Sequence, residues 1–459
     1  MKEFTLFDYQ NEFISNIGKA FRRSKKVIGQ LATGGGKGVV LAEIARRSIE
    51  KGNVVCIACH RIEIFQQLFD NLMSFGITPG IIAAGQHPMA GHRCYLSMVE
   101  TFCRRMNRGL IEKLNINFHI LDEVHFGSYY KLVKELSCPV LGFTATPKST
   151  GKPELKEYFD ELVCGVSITE LIRVGRLLKA KTFSIAHDFS KVKMKGKEYD
   201  DRSLFNEFKK PKLWTGAVDS YLNNANGLQA LCYCVNVEHS NSTALQFRDK
   251  GIVAAHVDGT TDKETRDRIF SMYRDGDIQV ICNVGIATTG TDLPDTGCII
   301  QNFATTSLVK HIQTLGRGAR FAEGMDEFVV IDMGRNYIRH GEFGEEINWV
   351  GIFENPNSVF KKEEKTNKRE CDRCGAVIRF HLQKCPYCGD VVSKKQLEDK
   401  FLDGATTEEI RAYRLKNVPP ELRKPFKQMT FDELSQYGRC MEYKPSWVWV
   451  MSNRLGIKK

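Results

Sequence analysis

Proline is scarce in this chain, 13 of 459 residues, and no segment repeats at a fixed solenoid period. Collagen-like, wholly disordered and solenoid architectures are therefore excluded. The opening run MKEFTLFDYQ has no apolar core, and no later stretch is both long and uncharged enough to cross a bilayer, so a cytoplasmic protein with no membrane partner is expected. Acid is the minority charge. There are 55 Asp plus Glu against 66 Lys plus Arg, a net +11, which favours a polyanionic or phosphate-rich partner. Residues 356–459 alone hold 22 basic and 14 acidic side chains, so +8 of the excess lies at the carboxyl-terminal end. With no export signal and an odd 15 cysteines, a disulfide framework is not expected.

At 459 residues the chain is too long for one compact core. From Val27 to Thr146, short β-rich runs (VIGQLA, NVVCIAC, FHILDE, PVLGFTAT) alternate with helical-period segments, the signature of a parallel α/β unit. A second such cycle begins near Leu228 with QALCYCV and ends with EFVVIDM. The expected fold class is α/β, with two parallel-sheet lobes in tandem, residues 1–160 and 216–350. A charge-rich connector with surface helices, 161–215, is expected to join them. A cysteine-bearing module at 365–393 and a basic module at 394–459 follow.

The strand VIGQLA runs into ATGGGKG at 32–38 and then into a helical segment. Glycines let backbone N–H groups approach phosphate, and the new helix adds the positive end of its dipole. Thr33, Gly34, Gly35, Gly36, Lys37 and Gly38 form this cradle, with Lys37 reaching the β- and γ-phosphate oxygens of ATP. Gly38 stands where Ser or Thr normally offers a hydroxyl to Mg²⁺. Asp122 and Glu123 end the apolar run FHIL, where open α/β sheets bind ligands. Asp122 is suited to hold Mg²⁺, and Glu123 to orient and deprotonate the attacking water. Thr144-Ala145-Thr146-Pro147 leaves another strand end. In the second half, GIATTGTDLP at 285–294 can offer hydroxyls and amides to a nucleic-acid backbone. QTLGRGAR at 313–320 places Gln313, Arg317 and Arg320 in helical register, where an arginine can offset charge on a transferred phosphoryl group.

In order and wording these segments resemble the motifs of superfamily two helicases: ATGGGKG motif I, ACHRIEIFQQ Ia, SMVETF Ib, DEVH II, TATP III, ATTGTDLP V and QTLGRGAR VI. FTLFDYQ, VNVEHS and the cysteine-rich tail further resemble RadD-like and phage replication or recombination helicases. The resemblance implies two RecA-like lobes, a nucleic-acid-stimulated ATPase using ATP and Mg²⁺, and DNA (single-stranded, forked or branched) as partner. A single-strand-binding protein or the replication and recombination machinery would accompany it, in a bacterial or phage-infected cell. It also implies that Tyr9 and Gln10 recognise adenine, although Phe7 replaces the usual Arg. Gly290 and Asp292 would approach the nucleotide, and His60, Arg61, Thr101, Thr288, Thr289 and Thr291 the nucleic-acid backbone. An RNA helicase, and a clamp switched by ATP with little turnover, remain alternatives.

Cys371-x-x-Cys374 and Cys385-x-x-Cys388 are separated by ten residues, and each pair precedes a Gly. Two such knuckles complete a tetrahedral Cys₄ site for a structural Zn²⁺, with an iron–sulfur cluster the alternative. Beyond them Tyr413, Arg423, Lys424, Phe426, Lys427, Tyr443, Lys444, Trp447 and Trp449 interleave aromatic and basic side chains. Such a pattern suits either nucleic-acid stacking or the core of a small module.

Overall fold

The structure is a computed structural model. It describes residues 5–86, 89–285, 296–320, 324–356, 367–392, 414–415, 418–441 and 443–457. The chain divides into two compact units, residues 1–378 and 379–459. In the first unit, β1 (Lys26–Gln30), β2 (Val55–Cys59), β3 (Gly80–Ile82), β4 (Cys94–Met98), β5 (Phe118–Asp122), β6 (Val140–Thr144) and β7 (Glu161–Cys164) form a seven-stranded sheet of order β3-β4-β2-β5-β6-β1-β7. All its pairings are parallel. VCIAC, FHILD and VLGFT are buried at every position, because helices cover both faces of the sheet and no strand side meets water. On one face Phe13, Ile17, Leu41, Ile44, Leu68 and Leu72 pack. On the other lie Val99, Phe102, Leu132 and Val133.

β8 (Lys179–Ser184), β11 (Ala230–Cys234), β12 (Ala254–Val257), β13 (Val280–Asn283), β14 (Cys298–Asn302) and β15 (Glu327–Asp332) make a second, six-stranded parallel sheet of order β12-β13-β11-β14-β15-β8. A hairpin, β9 (Met194–Lys195) and β10 (Glu198–Tyr199), leaves its edge. The stretch 161–215, expected as a connector, is therefore more than that. It supplies the edge strand of each sheet, β7 against β1 and β8 against β15. ELVC and KAKTFS are only partly buried, so they lack the continuous apolar run that marks an interior parallel strand.

After the second sheet the chain returns to the first lobe. The helix Trp349–Glu354 puts Phe353, 2% exposed, into the core that holds Tyr158 and Phe159. On the same helix Ile352 packs on Leu308 and Ile312. β16 (Lys368–Glu370) pairs with β17 (Val377–Arg379) beside the cysteines. In the second unit the helices Phe431–Cys440 and Pro445–Leu455 share a core of Val418, Leu422, Leu434, Tyr437 and Met441. Trp447 is packed there, 4.6 Å from Tyr443 and 5.7 Å from Phe426 between ring centroids. Trp449 is 60% exposed.

Candidate active site and metal centre

The phosphate loop links β1 to the helix Lys37–Glu50, and Gly34 and Gly36 take left-handed backbone angles, φ 84° and 82°. A β-carbon on Gly36 would strike the Gln10 amide. That amide donates from Nε2 to Gly35 O (3.1 Å) while its Oε1 accepts from Phe7 N (3.0 Å), so Gln10 is bound to the loop itself. Phe7 stacks on Tyr9 at 5.7 Å between centroids, and the Arg176 guanidinium lies 4.0 Å over the Phe7 ring. Arg176 was not singled out in the sequence because only the fold carries it to the amino-terminal segment. A β-carbon on Gly38 would lie 2.5 Å from Nδ2 of Asn71, a residue of the helix Ile62–Ser74. The room left by the missing hydroxyl side chain is thus taken by an amide from another helix.

Lys37 Nζ lies 2.8 Å from Asp122 Oδ1 and also contacts Glu123. Glu123 has φ 55°, a left-handed angle that is uncommon for a non-glycine residue, directly after β5. Burial opposes the charge on Lys37, but Asp122 and Glu123 outweigh it and hold the ammonium above its ordinary range. Burial likewise opposes ionisation of Glu123, yet Lys37 and His125 prevail and keep its carboxyl below the usual range. At Asp122 burial wins over Lys37 and raises the carboxyl. His125 Nδ1 sits 3.1 Å from Glu123 Oε2 and 2.9 Å from Thr144 Oγ1. Its Nε2 lies 3.4 Å from Gln313 Nε2 in the second lobe. A β-carbon on Gly316 would come 2.9 Å from Thr33 Cγ2, so the two lobes meet directly at the phosphate loop.

Several expected placements change. The helix Leu308–Leu315 ends before Arg317, which sits in a turn, while Arg320 forms a β-bridge with Leu177. Gln313, Arg317 and Arg320 therefore do not share one helical register. Gly316 and Gly318 break the run: each has the lowest helix propensity short of proline, and a β-carbon on Gly318 would strike Phe328. His60, expected at nucleic acid, turns its ring 4.1 Å from Phe126, with both nitrogens buried. Burial, aided by Arg61, lowers its pKa to about 4. Thr101 is 8% exposed beside Val99 and Phe102, on the inward side of its helix. Arg61 precedes the helix Ile62–Ser74 and is half-buried. Thr288, Thr289, Gly290, Thr291 and Asp292 lie outside the described residues.

Residues 3–149 match the family described as type III restriction enzyme, res subunit, and residues 215–322 match the helicase conserved C-terminal domain. A 51.5 kDa protein of a Lactococcus phage is 30% identical over 398 residues, covering 84% of this chain and 83% of its own. The chain belongs to superfamily two of the helicases. This helicase is also similar to the DNA 3'-5' translocase XPB2 of Sulfurisphaera tokodaii, 26% identical over 364 residues, 68% of this chain and 78% of that protein. Its fold matches the Type ISP restriction-modification enzyme LlaBIII bound to DNA, with TM-score 0.54, 18% identity, and coverage of 72% of this chain and 28% of the other. It is a nucleic-acid-stimulated ATPase with two RecA-like lobes, and its family works with ATP and Mg²⁺. The glycine cradle and the buried carboxylates fit both.

The cysteine pairs form two matching turns. Gly375 N donates to Cys371 O (2.9 Å) and Gly389 N to Cys385 O (3.0 Å), with φ 75° and 74° at the two glycines. The Sγ atoms of Cys371, Cys374, Cys385 and Cys388 lie within 4.8 Å of one another. Four thiolates about 2.3 Å from a tetrahedral Zn²⁺ stand about 3.8 Å apart, so this set fits a closed Cys₄ centre. No described helix is long and apolar enough to cross a membrane.

Proposed function

We propose that this helicase is a DNA translocase that unwinds or remodels forked or branched DNA in replication, recombination or repair. The observation that carries the reading is the connected set Lys37, Asp122, Glu123, His125 and Gln313, which joins the phosphate loop of one lobe to the helix Leu308–Leu315 of the other. Hydrolysis in one lobe would then be felt by the second as a change in closure. Lys37 would exchange its carboxylate partners for the β- and γ-phosphate oxygens. Mg²⁺, held by Asp122 and water, would neutralise phosphate charge. Glu123, ionised and aimed by His125, would accept the proton of the attacking water as the bond from γ-phosphorus to the bridging oxygen breaks. Arg317 and Arg320 would offset the charge that develops.

DNA is favoured over RNA by the DNA translocase relative and by the DNA-bound enzyme of similar fold. The basic carboxyl-terminal region supports a duplex arm as a second contact. Cys371, Cys374, Cys385 and Cys388 would hold a structural Zn²⁺ that folds the ribbon, and the phage relative supports work in an infected cell. The test is ATP hydrolysis measured without nucleic acid and with single-stranded DNA, forked DNA, a four-way junction or RNA. Stimulation by DNA, greatest with forks or junctions, is expected. Equal stimulation by RNA would overturn the DNA assignment, and nucleotide binding without turnover would favour an ATP-switched clamp.

A further inference from the structure

We infer that the hairpin β9–β10 is a phosphate-gripping element that holds the backbone of the nucleic acid where the two lobes meet. Lysine occupies every second position of KVKMKGK, at Lys191, Lys193, Lys195 and Lys197, and all four are exposed. Lys197 pairs with Glu154 of the first lobe at 3.3 Å. Lys191, Lys193 and Lys195 make no ion pair with another described residue. Met194, 51% exposed, lies among them. A free solvated loop could carry the same charges, but this one is rooted. Phe189 and Val192 are buried in the core of the second lobe. Lys193 N donates to Ser203 Oγ (3.0 Å), Lys193 O accepts from Asp200 N (2.8 Å), and Gly196 makes the turn at φ 66°.

The anchorage also gives the hairpin its address. The Glu198 carboxylate accepts from Thr306 N at 2.9 Å and from the Thr305 hydroxyl, and Thr306 donates to Lys197 O. Those threonines lie between β14 and the helix that carries Gln313. The lysines are thus fixed to the C-terminal edge of the second sheet, beside the loop that follows β14. Glu154, the first-lobe contact, follows Thr144–Pro147 in the chain. Like charges at alternate positions of a rooted segment repel one another, and a chain of phosphates relieves that repulsion and releases its counterions as it binds. Lysine suits the task because it meets phosphate as a point charge without selecting sequence. A translocating enzyme needs a contact that tolerates every base.

This inference rests on the reading that the protein acts on nucleic acid, and the test separates the two. The full chain carrying Lys191→Ala, Lys193→Ala and Lys195→Ala is compared with the parent and with the triple Lys→Arg variant. Binding of a fluorescent single-stranded oligonucleotide is measured by anisotropy across a salt series. Loss of three phosphate contacts should lower the slope of log affinity against log salt by about 2, weaken low-salt binding at least about tenfold, and spare hydrolysis without nucleic acid. The arginine variant should bind like the parent, and all three should melt together. An unchanged slope and affinity in the alanine variant overturns the hairpin role while leaving the function standing. A parent that binds no nucleic acid overturns both.

Discussion

A hydroxyl-bearing side chain at position 38 would have to displace the Asn71 amide, whose Nδ2 stands 2.5 Å from where its β-carbon would be. The amide is the free end of a flexible side chain and can rotate away, at the cost of its present packing. Gly38→Thr should therefore lower the Mg²⁺ concentration for half-maximal hydrolysis, and Gly38→Thr with Asn71→Ala should lower it further. A titration in which the double variant needs as much Mg²⁺ as the parent refutes this. The proposed roles of Lys37, Glu123 and Arg320 have a sharper test. Lys37→Ala, Glu123→Gln and Arg320→Ala should each reduce stimulated turnover by about 10³-fold or more. A fluorescent ATP analogue should still bind the Glu123→Gln protein. Near-parental turnover in any of the three removes that residue from the reaction. The anomaly at Gly38 was legible in the sequence, but Asn71 was not, because its place depends on how two helices 33 positions apart pack.

At the scale of elements, the role of the cysteine ribbon can be tested apart from the chemistry of the motor. The phosphate loop, Asp122, Glu123 and Gln313 all precede Cys371 in the chain, while the division after residue 378 falls between the two cysteine pairs. The first knuckle is tied to the second lobe, Ser184 N donating to Gly375 O (2.8 Å), so the substitutions are placed in the second pair, whose folding depends on the metal. Cys385→Ser with Cys388→Ser should reduce bound zinc from about one per chain to none, keep ATPase stimulated by single-stranded DNA, and lose much of the unwinding of forks. A zinc-free variant that unwinds forks normally limits the ribbon to a structural cap. The paired spacing and following glycines made this element readable in advance. The helix Trp349–Glu354 was not, since six residues, although capped by Asn348, reveal nothing about a first-lobe core that closes around Phe353.

Across the whole molecule, buried neutral histidines set the response to acid. Burial lowers His60 and His119 in the first lobe to about 4, and His311 and His340 in the second to about 3 and about 4. Their unfolded value is about 6.5, so between the two values the unfolded chain binds more protons. The stability tied to these groups is present above about pH 6.5 and drains as pH falls toward about 4, by up to about 1.4 kcal/mol per histidine per pH unit. The thermal midpoint should fall on acidification from about pH 7 to about pH 5, the span in which histidines of the unfolded chain take up protons while the buried ones stay neutral. A flat profile across that span would be incompatible with it.

The sequence by itself determined the α/β class, the two lobes, the phosphate loop, the carboxylate pair and the cysteine knuckles. Each rests on short-range chemistry: continuous apolar strands, glycines at left-handed angles, and ligands paired on one turn. Tertiary structure decided what depends on distant neighbours. It turned His60 and Thr101 inward, ended the helix before Arg317, placed Arg176 over Phe7, and recruited β7 and β8 from a segment that reads as a linker. Edge strands and lobe contacts carry mixed polarity along the chain, and their positions follow only from the surfaces that close upon them.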